Sequence, residues 1–258
     1  MLIPRVIPCL TLIDGAMVKT TRFRKHVYLG DPVNIINLFN QFEVDEIALL
    51  DIRATAQGRE PDIELITQLA EECWVPLAYG GGITTVAQIR KLLQSGVEKV
   101  IINSAATKTP ELLRAAASEF GSQAVVGGVD VSKRLFGRYE AVSESGKRPT
   151  GNTPEKQAQV FAEFGAGEIF LNDVGRDGSM LGYDLDLVQR VAKAVQIPVV
   201  ACGGAGDRQH LKEVIYDGGA SAAAAGSIFV FSSKTRSVLV NFPERTELEQ
   251  LLAKPDFY

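Results

Sequence analysis

Two glycine clusters, Gly80-Gly81-Gly82 and Gly203-Gly204-Ala205-Gly206, each close a short apolar run. Two small polar turns, Asn103-Ser104-Ala105 and Ala225-Gly226-Ser227, close the apolar runs that come next. A residue without a Cβ lets backbone N–H groups approach an anion closely, and the start of a following helix adds partial positive charge. One such cluster is equally explained by a tight turn. Two matched pairs favour phosphate binding, and a ligand with a phosphate at each end. Asp130 ends another apolar run, where a carboxylate could move protons or simply cap a loop. Asp51 and Asp173 end two more. Asp177 lies in Gly175-Arg176-Asp177-Gly178-Ser179, a turn-like stretch in which a structural aspartate is equally expected. Lys19, Arg22, Arg24, Lys25 and His26 crowd one segment, either a solvated charged face or a flexible basic loop over an anion.

The elements that must position these groups follow from hydrophobic patterning. Strands are expected at Val6–Leu10, Glu46–Asp51, Pro76–Gly80, Lys99–Asn103, Ala124–Asp130, Glu168–Asn172, Pro198–Cys202 and Ala222–Gly226. Amphipathic helices are expected between them, at Pro32–Phe42, Asp62–Cys73, Thr85–Gln94, Pro110–Phe120, Pro154–Phe164, Asp186–Val195 and Arg208–Tyr216. Asp31 and Thr109 stand as N-caps before prolines, and Gly96, Gly121, Gly165 and Gly218 end helices. Strands alternating with helices imply parallel strands and right-handed crossovers. Eight such units in 258 residues predict one domain over 1–258, a single (β/α)8 TIM barrel, in preference to an open doubly wound sheet. The chain also repeats itself. Val75–Gly82 resembles Ile197–Gly204, Glu46–Asp51 resembles Glu168–Asp173, and Val6–Leu12 aligns with Val125–Val131, which sets Thr11 opposite Asp130. This is a two-fold half-barrel repeat. Arg5, Glu46, Lys99 and Glu168 would then begin four strands and meet at the N-terminal mouth, as a salt-bridged plug or as a gate on the barrel axis.

Composition narrows the function classes. A net charge of −4 favours neither nucleic acid nor an anionic membrane, and no apolar run approaches the roughly 18 residues of a membrane span. The apolar start lacks a basic leader and reads as a first strand. Three scattered cysteines (Cys9, Cys73 and Cys202) make a poor disulfide framework and a poor zinc site, and fit reduced thiols in a cytoplasmic protein. With two histidines, His26 and His210, no metal site and no cofactor are expected.

The segments Ile7–Leu10, Asp14-Gly15, Val18-Lys19, Gly30–Pro32, Leu50–Ile52, Gly80–Ile83, Ile102–Ala105, Gly165–Glu168, Arg176–Gly178 and Gly203–Gly206 resemble, in order and over nearly the whole chain, HisF, the cyclase subunit of imidazole glycerol phosphate synthase. The resemblance implies a HisH-type glutaminase docked at the N-terminal mouth in a heterodimer. Ammonia would pass along the barrel to a bis-phosphorylated ribotide, which it cleaves and cyclises in histidine biosynthesis. It implies phosphate sites at Gly82, Asn103 and Ser104 and at Gly204, Gly226 and Ser227, a mobile-loop lysine at Lys19, substrate contact at Asp177, and an ammonia gate of Arg5, Glu46, Lys99 and Glu168. It also implies an acid–base pair of carboxylates at the ends of strands 1 and 5. Asp130 matches the second, whereas Thr11 stands at the first. A hydroxyl is a poor general acid near neutral pH. Gly175 and Asn152-Thr153 depart from the family pattern as well. Three readings follow. The first is an ordinary cyclase that tolerates Thr11. The second is a paralogue with a degenerate site whose ammonia serves sugar amidination in surface polysaccharide biosynthesis, with a sugar amidotransferase as further partner. The third is a sugar-phosphate isomerase on the same half-barrel plan.

Overall fold

Short apolar runs cannot bury both faces alone, and here eight of them close on one another. The structure, a computed structural model, describes residues 3–134, 137–232 and 237–253. The barrel strands are Arg5–Ile13, Ile47–Asp51, Leu77–Gly80, Lys99–Ile102, Val125–Lys133, Glu168–Asp173, Val199–Cys202 and Ala222–Ala225. Each pairs in parallel with the next. The eighth pairs with the first, Arg5 opposite Ala222, so the sheet is closed. The (β/α)8 fold and the positions of all eight expected strands are thus observed, with ends moved by a few residues.

Alternation divides each strand between two cores. Ile7, Ala48, Ala78, Ile101, Val126 and Phe170 point into the lumen. Val6, Leu10, Leu49, Val100, Ile169 and Val199 point outward to the helices. Gly127 makes room for one helix directly: a Cβ there would lie 2.7 Å from a ring carbon of Phe161, which is fully buried in the helix Pro154–Glu163.

The helices begin where capping chemistry places them. Asp31, Asp62, Thr85, Thr153, Asp184 and Asp207 each accept a backbone N–H from their helix's first turn. Thr109 does not. The helix starts at Glu111 with Pro110 in the cap position, because the short helix Ser104–Lys108 occupies the preceding residues. Of the four glycines expected to end helices, Gly96, Gly121 and Gly165 have positive φ. After Arg208–Tyr216 that conformation belongs to Gly219 rather than Gly218.

Two hairpins lie outside the sequence expectation. The basic segment after the first strand is not an irregular loop. It forms strands Ala16–Thr21 and Lys25–Gly30, with Thr11 of the first barrel strand opposite Val18. After the fifth strand, Tyr139–Ser143 folds back with Asp130 opposite Val142, and Arg148-Pro149 pairs with it in turn. Thr11 and Asp130 therefore occupy equivalent positions in the two halves. The glycine turns match too: a Cβ on Gly81 would meet the carbonyl oxygen of Asp51 at 2.6 Å, and one on Gly203 that of Asp173 at 2.6 Å.

The sheet-to-helix core implies a specific stability cost. Phe161→Ala should destabilise the chain by about 3–5 kcal/mol, the usual range for a fully buried phenylalanine whose site cannot collapse. Equilibrium urea unfolding checks it, and a loss under about 1 kcal/mol would mean that this layer relaxes freely.

Candidate functional site

The C-terminal mouth divides into two unequal halves. One is a cavity of about 770 Å3 whose wall includes Asp51, Gly82, Asn103, Ser104, Asp130 and Phe170. Its shape comes from backbone packed without Cβ atoms. Gly82, at φ +70°, lies against the carbonyl of Arg59, where a Cβ would come within 2.5 Å of that oxygen. The N–H of Gly82 donates to the Thr55 hydroxyl at 3.3 Å, and the Ser104 hydroxyl accepts the N–H of Glu144 at 3.0 Å. The expected grouping of Gly82, Asn103 and Ser104 is observed, with Asp130 on the same wall.

Burial pushes the Asp130 carboxyl up to about 6, against hydrogen bonds from Asn172 and Asn103 that favour its charged form; Asp177 adds like charge. The Asn172 amide donates to it at 3.0 Å. A carboxyl in that range exchanges protons near neutral pH, as a general acid or base must. Asp51 is different. Its carboxylate accepts the backbone N–H groups of Arg53 and Ala54 and an Arg59 guanidinium N–H at 3.3 Å. It shapes the turn that covers Gly82.

Thr11, Lys19, Asp177, Gly204, Gly226 and Ser227 line the other half, a cavity of about 20 Å3. Lys19, 5% exposed, reaches the Asp177 carboxylate at 2.5 Å, and the Thr20 hydroxyl donates to the same carboxylate at 2.7 Å. The sequence reading of Lys19 as part of a solvated charge run fails here, because the hairpin folds across the mouth and buries it. The Thr11 hydroxyl donates to the Val18 carbonyl at 2.5 Å, tying that side chain to the same hairpin. Ser227 is buried, and its hydroxyl has no hydrogen-bond partner. Cys9 and Cys202 also line this half and contact each other, and all three thiols are free. Their separation in sequence concealed that meeting. Among the described residues no three His, Cys, Asp or Glu side chains gather as metal ligands.

At the N-terminal mouth, Arg5, Glu46, Lys99 and Glu168 form a closed ring. Arg5 bridges Glu46 and Glu168 from one side. Lys99 bridges the same two from the other, at 2.7 and 3.3 Å. Each carboxylate faces two cations, so the ring is paired throughout. Above it the lumen is apolar.

A model of the family described as "Histidine biosynthesis protein" matches residues 5–235. A Pseudomonas aeruginosa protein named "Putative imidazole glycerol phosphate synthase subunit hisF2" is 47% identical over 245 residues, covering 95% of this chain and 98% of the relative. A Leptospira interrogans protein given the same name with subunit HisF is 42% identical over 252 residues, covering 97% and 99%. A Vibrio vulnificus protein carrying it with subunit hisF3 is 43% identical over 256 residues, covering 98% and 97%.

The environment of Asp130 has a pH signature. A carboxyl raised to about 6 in the folded chain, from an ordinary value of 3.8, favours folding at low pH and loses that advantage as pH rises through 6. Replacing Asp130 by Asn removes the penalty of holding a charge there. Two pH units correspond to about 2.7 kcal/mol, less where cavity water screens the group, so Asp130→Asn should gain about 1–2.5 kcal/mol at pH 8. The gain should fade through pH 6 and vanish near pH 4. Urea unfolding across that range measures it, and a pH-independent gain would reject the raised carboxyl.

Proposed function

The chain belongs to the histidine biosynthesis protein family, and from that premise we propose that it is the HisF-type subunit of a glutamine-dependent enzyme, taking ammonia from a HisH-type glutaminase. The observation that carries this reading is the ring of Arg5, Glu46, Lys99 and Glu168 over an apolar lumen that leads towards Asp130. Burying the Glu46 and Glu168 carboxylates beside the half-buried Arg5 and Lys99 is costly compared with an apolar plug of similar volume, so stability alone is a weak reason to build the ring. Ammonia is small and neutral and crosses an apolar lumen, whereas hydrated ions do not. The glutaminase docks over the ring. Trp74, which precedes the third strand, is 79% exposed there, and Leu38 and Phe42 at the end of the helix Pro32–Gln41 are also exposed. Aromatic residues of this kind anchor protein interfaces. No helix among the described residues is long and apolar enough to cross a membrane. The free thiols support a cytoplasmic setting.

At the other mouth the ligand is bis-phosphorylated, its phosphates held at Gly82, Asn103 and Ser104 and at Gly204, Gly226 and Ser227, with Asp130 between them. The nominal reaction is cyclisation of the ribotide precursor to imidazole glycerol phosphate. One observation favours an impaired cyclase: Thr11 occupies the position equivalent to Asp130, and its hydroxyl is spent on Val18. A single carboxyl then has to do the work of an acid–base pair. Ammonia delivery is left intact, and the acceptor becomes a sugar bound to a separate amidotransferase. The isomerase reading is weaker, since it gives the ring and the exposed Trp74 face no task.

Two measurements test this. With saturating ammonium, cyclase turnover of the ribotide should be at least about 10²-fold below that of a cyclase with both carboxylates, and Thr11→Asp should raise it. Turnover within a few-fold of an ordinary cyclase would restore the nominal function. With glutaminase bound, Lys99→Ala should leave glutamine hydrolysis measurable, cut product from glutamine severalfold, and spare product from added ammonium. Equal losses from both nitrogen sources would make the ring a structural plug.

A further inference from the structure

The two anion half-sites correspond in the repeat but differ in what fills them. The half at Gly82, Asn103 and Ser104 opens into about 770 Å3. The half at Gly204, Gly226 and Ser227 encloses about 20 Å3, room for about one water molecule. With Lys19 where it lies, a phosphate group of five heavy atoms has little room there.

The space is taken from inside the protein. Lys19 crosses Gly226 so closely that a Cβ on that glycine would lie 3.0 Å from the Lys19 Cε. Its ammonium then turns to Asp177 at 2.5 Å. The carboxylate is held in place by the Thr20 hydroxyl at 2.7 Å and the Phe23 N–H at 3.4 Å. Asp177 thus supplies, within this cavity, the negative charge that would otherwise come from a ligand. Meanwhile Ser227, 4% exposed, keeps a hydroxyl with no partner against the same space. A buried polar group left unpaired carries a desolvation cost, which an arriving acceptor would remove. The cavity therefore holds a cation already engaged by an internal anion and a donor engaged by nothing.

We propose that Asp177 is an internal competitor for the second phosphate of a two-ended ligand, so that this half-site takes phosphate only when Lys19 leaves Asp177 for it. The proposal rests on the two-site reading above and adds what sets the selectivity between singly and doubly phosphorylated ligands. A monophosphate uses the open half and leaves the pair untouched. A bisphosphate must separate a buried ion pair before its second phosphate gains anything, and the freed Asp177 carboxylate then repels it. Breaking such a pair is expensive because it strands a charge in low dielectric, so the second phosphate adds little net affinity in the resting chain. Asn at 177 keeps the shape and can still accept from Thr20 and Phe23. It gives up the charge, leaving Lys19 free for phosphate.

Calorimetric titration of the full chain at fixed ionic strength tests this, with ribose 5-phosphate and fructose 1,6-bisphosphate as probes and circular dichroism as the check on folding. The unaltered chain should bind the bisphosphate no more than about 3-fold more tightly than the monophosphate. Asp177→Asn should raise that ratio to at least about tenfold, equivalent to 1.4 kcal/mol, with monophosphate affinity changed less than about 3-fold. Lys19→Met opens the same space without a cation and should gain no such preference, which separates release of Lys19 from mere enlargement. A tenfold bisphosphate preference in the unaltered chain overturns the proposal, as does weaker bisphosphate binding by Asp177→Asn. If neither probe binds any of the chains, the two-site reading itself falls. If the monophosphate binds but Asp177→Asn leaves the ratio unchanged, only the role of Asp177 falls.

Discussion

The pairing of the fifth and sixth strands, with residues 168–173 laid in parallel against residues 126–131, joins the two halves of the chain. The eighth strand against the first does the same on the other side. Either half alone would leave sheet edges open and one apolar face wet. Closure aims alternate side chains at the axis, and Arg5, Glu46, Lys99, Glu168, Thr11 and Asp130 inherit their positions from that alternation. Arg5, Ile7, Cys9 and Thr11 are four consecutive inward positions of one strand. They run from the charged ring through the apolar lumen to the opposite mouth. The two ends are joined directly, because one strand carries residues of both.

Closure also explains why charge is tolerated in such places. At the N-terminal end two cations and two carboxylates satisfy one another, so no member is stranded. Among the described residues Asp130 has no cation beside it. Its partners are neutral amides, and its carboxyl accordingly rises to about 6, whereas Asp177 is matched by Lys19 in an ion pair. The mouth therefore holds one carboxyl poised to exchange a proton and one committed to holding a hairpin. That division of roles comes from the surroundings, since both are aspartates near strand ends.

Much of this was legible in the sequence. The short β-branched or apolar runs located all eight strands, and the Gly80–Gly82 and Gly203–Gly206 repeats located both turns where backbone must pass close to Asp51 and Asp173. The ring could be read from four charged residues at strand starts. What could not be read depends on contacts between distant segments. The strand Lys25–Gly30 shows no alternation, because Lys25 through Tyr28 are all exposed, so it looked like a charged loop. Lys19 is buried only because that hairpin crosses the barrel to reach Asp177, 158 positions later. Cys9 and Cys202 meet only because the first and seventh strands both border the eighth. Nothing local marks Trp74 as exposed.

The threonine at position 11 gains meaning from the hairpin. In the other half, the equivalent Asp130 also lies opposite a hairpin residue, Val142, yet its carboxylate turns to Asn172 and faces the open cavity. Thr11 is short, and its hydroxyl closes onto the Val18 carbonyl of the adjacent hairpin strand. The next residue, Lys19, is the one that reaches Asp177. A carboxylate at position 11 could not donate to that carbonyl when ionised, and it would bring a third charge to the cavity that Lys19 and Asp177 already share. Thr11 is thus matched to a hairpin held down by the Lys19–Asp177 pair. The threonine at position 11 and the filled space beside Gly226 are two aspects of one local arrangement.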